Sequence, residues 1–207
     1  WANVGYWSYD VAGREMAESW DGANAPHLVD ERADSPRETR LRYHGRKGHL
    51  AMIDMERTGP GLFRARRQVV HVGPRIWVVI DTSSGAPGAT TRTTWTSSST
   101  VRLTENGEDG TYTLTDSRSG QSLRAFFDGA PGTARRTIEG SRSPFGGWSV
   151  VGGVAQAAPT IVVERPADGA WALASWSLGD DSGLISRLTG APRIHRWTGA
   201  EDWEVIL

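Results

Sequence analysis

Short runs of β-forming residues, each closed by a turn, recur along almost the whole chain, and this rhythm restricts the fold more than any other feature. Residues 39–44 and 49–55 read as two strands joined by a loop at 45–48, and residues 67–72 and 75–82 as a second pair joined by Gly73 and Pro74. Residues 76–80, Ile-Trp-Val-Val-Ile, are apolar at every position. A short, continuous apolar run of this kind marks a strand covered on both faces. Segments 91–95, 100–104, 111–115, 122–127, 136–139, 148–151, 160–165 and 170–178 continue the series, with turn residues at 106–110, 119–120 and 166–169. Strands at intervals of roughly 8–12 residues with Gly and Pro turns predict an all-β fold, a large antiparallel two-sheet β-sandwich with little or no helix. Residues 11–20 allow one or two helical turns, but Gly13 interrupts them and no apolar stripe of helical period emerges. Segment 183–188 is too short to assign. No flexible linker breaks the series, so residues 1–207 are expected to form a single sandwich domain, with 1–20 as a remnant or edge segment.

Composition narrows the function classes. The chain has no Cys, which excludes disulfides, cysteine nucleophiles and Cys-based zinc sites. The formal net charge of -1 argues against a general nucleic-acid or membrane-surface binder. No apolar run approaches the ~20 residues that span a bilayer. The near-neutral total hides a split. Residues 1–31 hold one arginine against six carboxylates, whereas residues 32–67 hold ten basic side chains against four acidic ones. Within that basic segment Arg40 and Arg42 alternate with Leu41 and Tyr43, so one strand face is expected to carry a row of guanidinium groups. The planar guanidinium fork suits carboxylate and sulfate, hence an anionic polysaccharide. The plainer alternative is a solvated face, salt-bridged to the acidic N-terminal segment, and charged strand faces are ordinary. Ten Trp is a high count. Indoles line carbohydrate sites, but most of these ten are expected in the core and its rim.

Chemistry-bearing motifs are few. HExxH, HxH, GxSxG, SxxK and the P-loop are all absent. The acid pairs Asp180–Asp181 and Glu108–Asp109 fall in turn-like segments, where adjacent carboxylates rarely face each other across a substrate. Of the five histidines, His44 and His49 flank a Gly-containing turn without a standard metal spacing, and His71 alternates with Val70 and Val72 in a strand. His27 stands out, because Asn24-Ala-Pro-His-Leu-Val-Asp30, after Ser19-Trp20-Asp21-Gly22, reads as a polar loop entering a strand. Loops on rigid scaffolds are where sites concentrate. His27 with Asp21 or Asp30 offers part of a metal site or a partner for a carboxylate; a purely hydrogen-bonding role is the commoner one for a loop histidine. The chain contains no motif that makes a complete active site, and no catalytic residue is assigned.

The order of motifs carries a resemblance. Residues 64–82, RARRQVVHVGPRIWVVIDT, are similar to the hallmark hairpin of the heparinase II/III-like C-terminal domain. Thr93-Thr-Trp95, Gly146-Gly-Trp148, Ala158-Pro159 with Thr160-Ile-Val-Val163, and Ala174-Ser-Trp-Ser-Leu178 follow in the family's order. The likeness runs over roughly residues 20–180. Members are polysaccharide lyases that join an N-terminal α/α toroid to a C-terminal β-sandwich and cleave uronic-acid glycans by β-elimination. Ala25-Pro26-His27-Leu28-Val29-Asp30 resembles the family's Ala-His-Asn-Thr-like segment, without its Asn-Thr. The resemblance implies an anionic polysaccharide as substrate, the toroid as partner, and a secreted or periplasmic setting. It implies substrate-binding roles for His27, Asn24, Trp20, Arg40 and Arg42, with His27 also a metal ligand. A structural zinc is implied for the full-length enzyme only. The HxH-type segment and the toroid are not in these 207 residues, and the chain opens on Trp1, so it is expected to be cut from a larger enzyme and to lack a complete site. Trp1, Tyr6, Trp7 and Tyr9 are then candidates for a toroid-facing or self-covering apolar patch, with exposure expected to be unusually high for aromatics. A non-catalytic sandwich module that binds glycan or protein is the alternative from a different class.

Overall fold

The structure is a computed structural model that describes residue 7 and residues 12–107, 110–178, 193–195 and 204–206. A four-residue helix, α1 (Arg14–Ala17), and a 3-10 turn (Trp20–Gly22) precede the strands. In chain order these are β1 (His27–Leu28), β2 (Thr39–Lys47), β3 (Leu50–Thr58), β4 (Arg64–Val72), β5 (Ile76–Ser84), β6 (Thr90–Thr96), β7 (Val101–Glu105), β8 (Thr111–Asp116) and β9 (Ser122–Gly129). They continue with β10 (Ala134–Ile138), β11 (Ser141–Arg142), β12 (Phe145–Gly146), β13 (Trp148–Val151), β14 (Val154–Ala157), β15 (Thr160–Pro166), β16 (Trp171–Leu178), β17 (Arg193–His195) and β18 (Glu204–Ile206).

Eight strands form one antiparallel sheet in the order β2-β3-β4-β5-β16-β9-β8-β7, and four form another in the order β1-β6-β15-β10. The pairs β11-β12, β13-β14 and β17-β18 are separate two-stranded ribbons. The fold is an all-β sandwich, as the turn rhythm predicts. Between the sheets, Val79, Phe127, Ala174 and Trp176 of the large sheet meet Trp95, Ile161 and Val163 of the small one. The large sheet also buries its other face around Met52, Val70, Val78, Ile80, Phe126 and Leu173. Successive residues of a strand point to opposite faces. This double coverage is therefore why residues 76–80 of β5 are apolar at every position, with Val78, Val79 and Ile80 all under 7% exposed.

Three local expectations change. The β2–β3 hairpin is tighter than the loop expected at 45–48, since both strands run on to Lys47 and Leu50 and the turn is Gly48–His49. Gly48 adopts φ 58°, a conformation a glycine takes without Cβ strain. His44 consequently lies opposite Ile53 and does not face His49. The register also shifts between Leu41 and Tyr43, which breaks the Arg40/Arg42 alternation with a bulge. Trp7, expected to be exposed, is only 4% exposed. It packs edge-on against Phe145 and Trp148, each at 5.9 Å, because the ribbons β11-β12 and β13-β14 fold over it. Trp1, Tyr6, Tyr9, segment 183–188 and the acid pairs at 108–109 and 180–181 lie outside the described residues.

Candidate functional site

The loop that carries His27 is strapped onto the sandwich by two arginines and a threonine. β1 adds only two residues to the edge of the small sheet, placing His27 opposite Arg92 of β6. Thr94 Oγ1 donates to Ala23 O at 2.6 Å, Arg67 Nη1 to Asn24 O at 2.7 Å, and Arg57 Nη2 to Pro26 O at 3.2 Å. The chain thus satisfies the carbonyls of an irregular segment that β1 is too short to pair. His27 is 1% exposed. Its Nδ1 lies 2.9 Å from Ala25 O, and its Nε2 lies 3.4 Å from Asp21 Oδ1. Of the two aspartates considered in the sequence, the fold chooses Asp21.

Asp21 opens a ladder of charges across the outer face of the small sheet. Arg92 donates to Asp21 at 2.7 Å and to Glu164 at 2.8 Å, and Arg136 donates to Glu164 at 2.8 Å. Burial opposes ionisation of Asp21, yet the hydrogen bonds from His27 and Arg92 hold its carboxyl below the usual range. The Arg136 hydrogen bond does the same for Glu164, with Arg92 adding to it against partial burial. Groups with depressed folded pKa values stabilise the fold at neutral pH, and that contribution is lost as pH falls through and below about 4. Glu164→Gln is therefore expected to cost roughly 1 kcal/mol at pH 7 and to flatten the acid limb of the stability profile. Unfolding midpoints measured from pH 7 to pH 3 on both proteins check this, and parallel acid limbs would refute it.

Trp20 is 4% exposed and has two guanidinium groups over its ring, Arg57 at 3.9 Å and Arg37 at 4.4 Å from the centroid. Its ring also faces His27 at 6.3 Å with an interplanar angle of 22°. Arg57 is itself buried and held by both oxygens of Glu31, at 2.7 and 2.9 Å. Trp20, Asn24 and His27 therefore share one niche. Arg40 and Arg42 do not join it. They are exposed on β2, the edge of the large sheet, where Arg40 pairs with Glu38 and Arg42 approaches Glu56 at 3.4 Å. Their partners are near neighbours and the adjacent strand, not the acidic N-terminal segment.

For a structural zinc the niche supplies His27 and Asp21, and Arg92 already occupies the same Asp21 oxygen. Zinc sites take four ligands, or three and a water. No cluster of three His, Cys, Asp or Glu side chains able to hold a metal occurs among the described residues. The residues present do not fit the ion. Sequence reasoning passed over Arg92, Glu164, Arg136, Arg57 and Glu31, which build the niche. The visible signal was alternation: in β6, Arg92, Thr94 and Thr96 share one face. Their partners come from strands distant in sequence.

No protein-family model matches the chain, and no curated protein matches it. Solved structures do. A heparinase III with methylated lysines superposes with a TM-score of 0.70 at 15% identity, covering 88% of this chain and 28% of that one. The heparan sulfate lyase HepC from Pedobacter heparinus gives 0.68 at 16% identity, covering 92% and 29%. A further heparinase III structure gives 0.63 at 13% identity, covering 86% and 27%. The chain spans less than a third of the length of the structures it matches. At these identities the likeness establishes architecture: the chain has the β-sandwich fold found in one part of the heparinase III structures.

Proposed function

We propose that residues 1–207 are one β-sandwich domain of a polysaccharide lyase that cleaves uronic-acid glycans, forming one wall of a cleft completed by an α/α toroid. The observation that carries this reading is the superposition of 88% of the chain on 28% of a heparinase III. In β-elimination a base takes the proton α to the uronate carboxylate. The electron pair forms the new C=C bond, the glycosidic C–O bond breaks, and the leaving oxygen gains a proton. Donors that offset charge on the carboxylate lower the barrier. In this reading Arg40 and Arg42 attract the polyanion at the sheet edge, while His27, Trp20 and Asn24 set the shape of the wall. The burial of His27 and Trp20 supports a positioning role for them. Base and acid come from the toroid.

The test is the rise in absorbance of the unsaturated uronate product on heparan sulfate, alginate and a bacterial uronate exopolysaccharide. A longer protein carrying this chain behind its toroid is expected to be active, and the 207-residue chain by itself inactive. Failure of the longer protein on every uronate polysaccharide would overturn the reading, and so would activity of the chain alone. The second reading, a non-catalytic binding module, is favoured by the burial of His27 and by the hold of Arg92 on Asp21, which tie the niche's His–Asp pair into the fold. It predicts glycan binding with no elimination product from either protein.

A further inference from the structure

A trough runs over the face that β2, β3, β4 and β5 share at the Trp77 end of β5. Its volume is about 720 Å³, and its walls include Leu41, His44, Arg46, Ile53, His71 and Trp77. Register places these residues on one face: His44 opposite Ile53, Arg46 opposite Ala51, Ala51 opposite His71, and His71 opposite Trp77. The bulge at Leu41/Tyr43 turns His44 and Arg46 to this side; unbroken alternation from Leu41 would have sent both to the other face. Val69 and Trp77 carry the surface on to a second hollow of about 390 Å³ against Trp95 and Trp176.

Three properties of the trough point to one class of ligand. It is apolar where single residues rarely are, with Leu41 57% and Ile53 45% exposed. Its aromatic wall is preformed, since His71 stacks on Trp77 at 4.9 Å and 16° and holds the two rings in one orientation. The His71 Nε2 atom is shielded and has no hydrogen-bond partner among the described residues. Finally, among the described residues no aspartate or glutamate lines the trough, and Arg46, unlike Arg40 and Arg42, has no ion-pair partner. An unpaired guanidinium beside two imidazoles in an acid-free hollow selects an anion. Aromatic and aliphatic walls select a ligand with an apolar face. A pyranose that bears a carboxylate or sulfate has both.

We propose that this trough is a binding site for an anionic saccharide, separate from the His27 niche, with Trp77 and His71 taking the sugar's C–H face and Arg46 its acidic group. This rests on the glycan reading above, but it concerns a different surface of the sandwich and does not require elimination. The experiment titrates the 207-residue chain, followed by tryptophan fluorescence and calorimetry, with an oligoalginate carrying carboxylates only, a heparin oligosaccharide carrying carboxylates and sulfates, and neutral cellohexaose. Either anionic probe is expected to bind at least ~10-fold more tightly than cellohexaose, a preference of one RT ln 10 step. Arg46→Gln, at an exposed position that leaves the core intact, is expected to remove most of that preference. Trp77→Ala is expected to weaken both anionic probes about 10-fold or more. Arg118→Gln, in an exposed turn elsewhere, is the control and is expected to bind as the parent does. Binding by only one anionic probe supports the site and identifies carboxylate geometry or sulfate as the recognised group.

Equal binding of cellohexaose would overturn the proposal, as would binding indifferent to Arg46→Gln, or no binding by any probe. Concentration-dependent dimerisation that Leu41 and Ile53 substitutions abolish, without saccharide binding, would assign the surface to a second copy instead. Lyase assays on the longer protein separate the two ideas. Elimination without trough binding defeats only this inference, and trough binding without elimination defeats only the lyase reading.

Discussion

Asp81→Asn is expected to destabilise the domain by about 3–5 kcal/mol, because it strips the carboxylate that the partly buried Arg67 and the buried Arg165 share. Asp81 is 2% exposed. It accepts from Arg67 Nε at 2.7 Å and Nη2 at 2.8 Å, and from the Thr93 hydroxyl at 3.3 Å. Arg165 of β15 enters the same layer from the small sheet and is 1% exposed, and none of its three side-chain nitrogens has a hydrogen-bond partner among the described residues. Burial pushes its guanidinium pKa down, while the charge of Asp81 acts against that shift. Removing the aspartate charge leaves the buried Arg165 with no counter-charge beside the partly buried Arg67. Arg165→Met has the opposite expectation. It replaces an unsatisfied buried charge with an apolar side chain, so it is expected to be neutral or to stabilise by roughly 1–4 kcal/mol. The double variant is then expected to lose less than Asp81→Asn alone. Urea unfolding of the four proteins completes the cycle. A loss below about 1 kcal/mol for Asp81→Asn, or a strongly destabilised Arg165→Met, would contradict this account.

The second large effect belongs to the core between the sheets. Phe127 is 0% exposed and meets Tyr112, Trp95 and Trp176 edge-on at ring distances of 5.6, 6.1 and 6.2 Å. Phe127 joins these three rings, so its removal opens a void between them. Phe127→Ala is expected to cost about 3–5 kcal/mol, from lost burial plus the residual cavity. The exposed Leu62, 81% accessible in the turn between β3 and β4, sets the contrast. Leu62→Ala is expected to stay within about 0.5 kcal/mol. Equal losses at the two positions, measured by thermal or urea unfolding, would mean that the aromatic cluster does not organise the sandwich.

How much was legible beforehand can be seen residue by residue. The strand 76–80 was readable because coverage on both faces leaves a local mark, an apolar run without alternation. The niche was readable only as a loop around His27, since a polar loop announces exposure. Its burial depends on Arg57, Arg67 and Arg92, which reach it from three other strands. Arg40 and Arg42 looked like one charged row because strict alternation was assumed, and a single bulge removed that premise. Trp7 was expected at a surface because the sequence presents residues 1–20 as an edge segment whose neighbouring strands and toroid are not in this chain. Its cover comes from ribbons some 140 residues later.

The amino-acid sequence by itself determined the class of this protein: many short antiparallel strands, a doubly covered central strand, and an architecture shared with part of the heparinase III structures. These are properties of turn chemistry and of a two-residue period, and both are written within a few neighbouring positions. Only the tertiary structure decided which side chains meet. It placed His27 on Asp21, left Arg165 unpaired against Asp81, and gathered His44, Arg46, His71 and Trp77 along one open face. Those juxtapositions follow from strand order and register over long loops, where a shift of one residue sends a side chain to the opposite face.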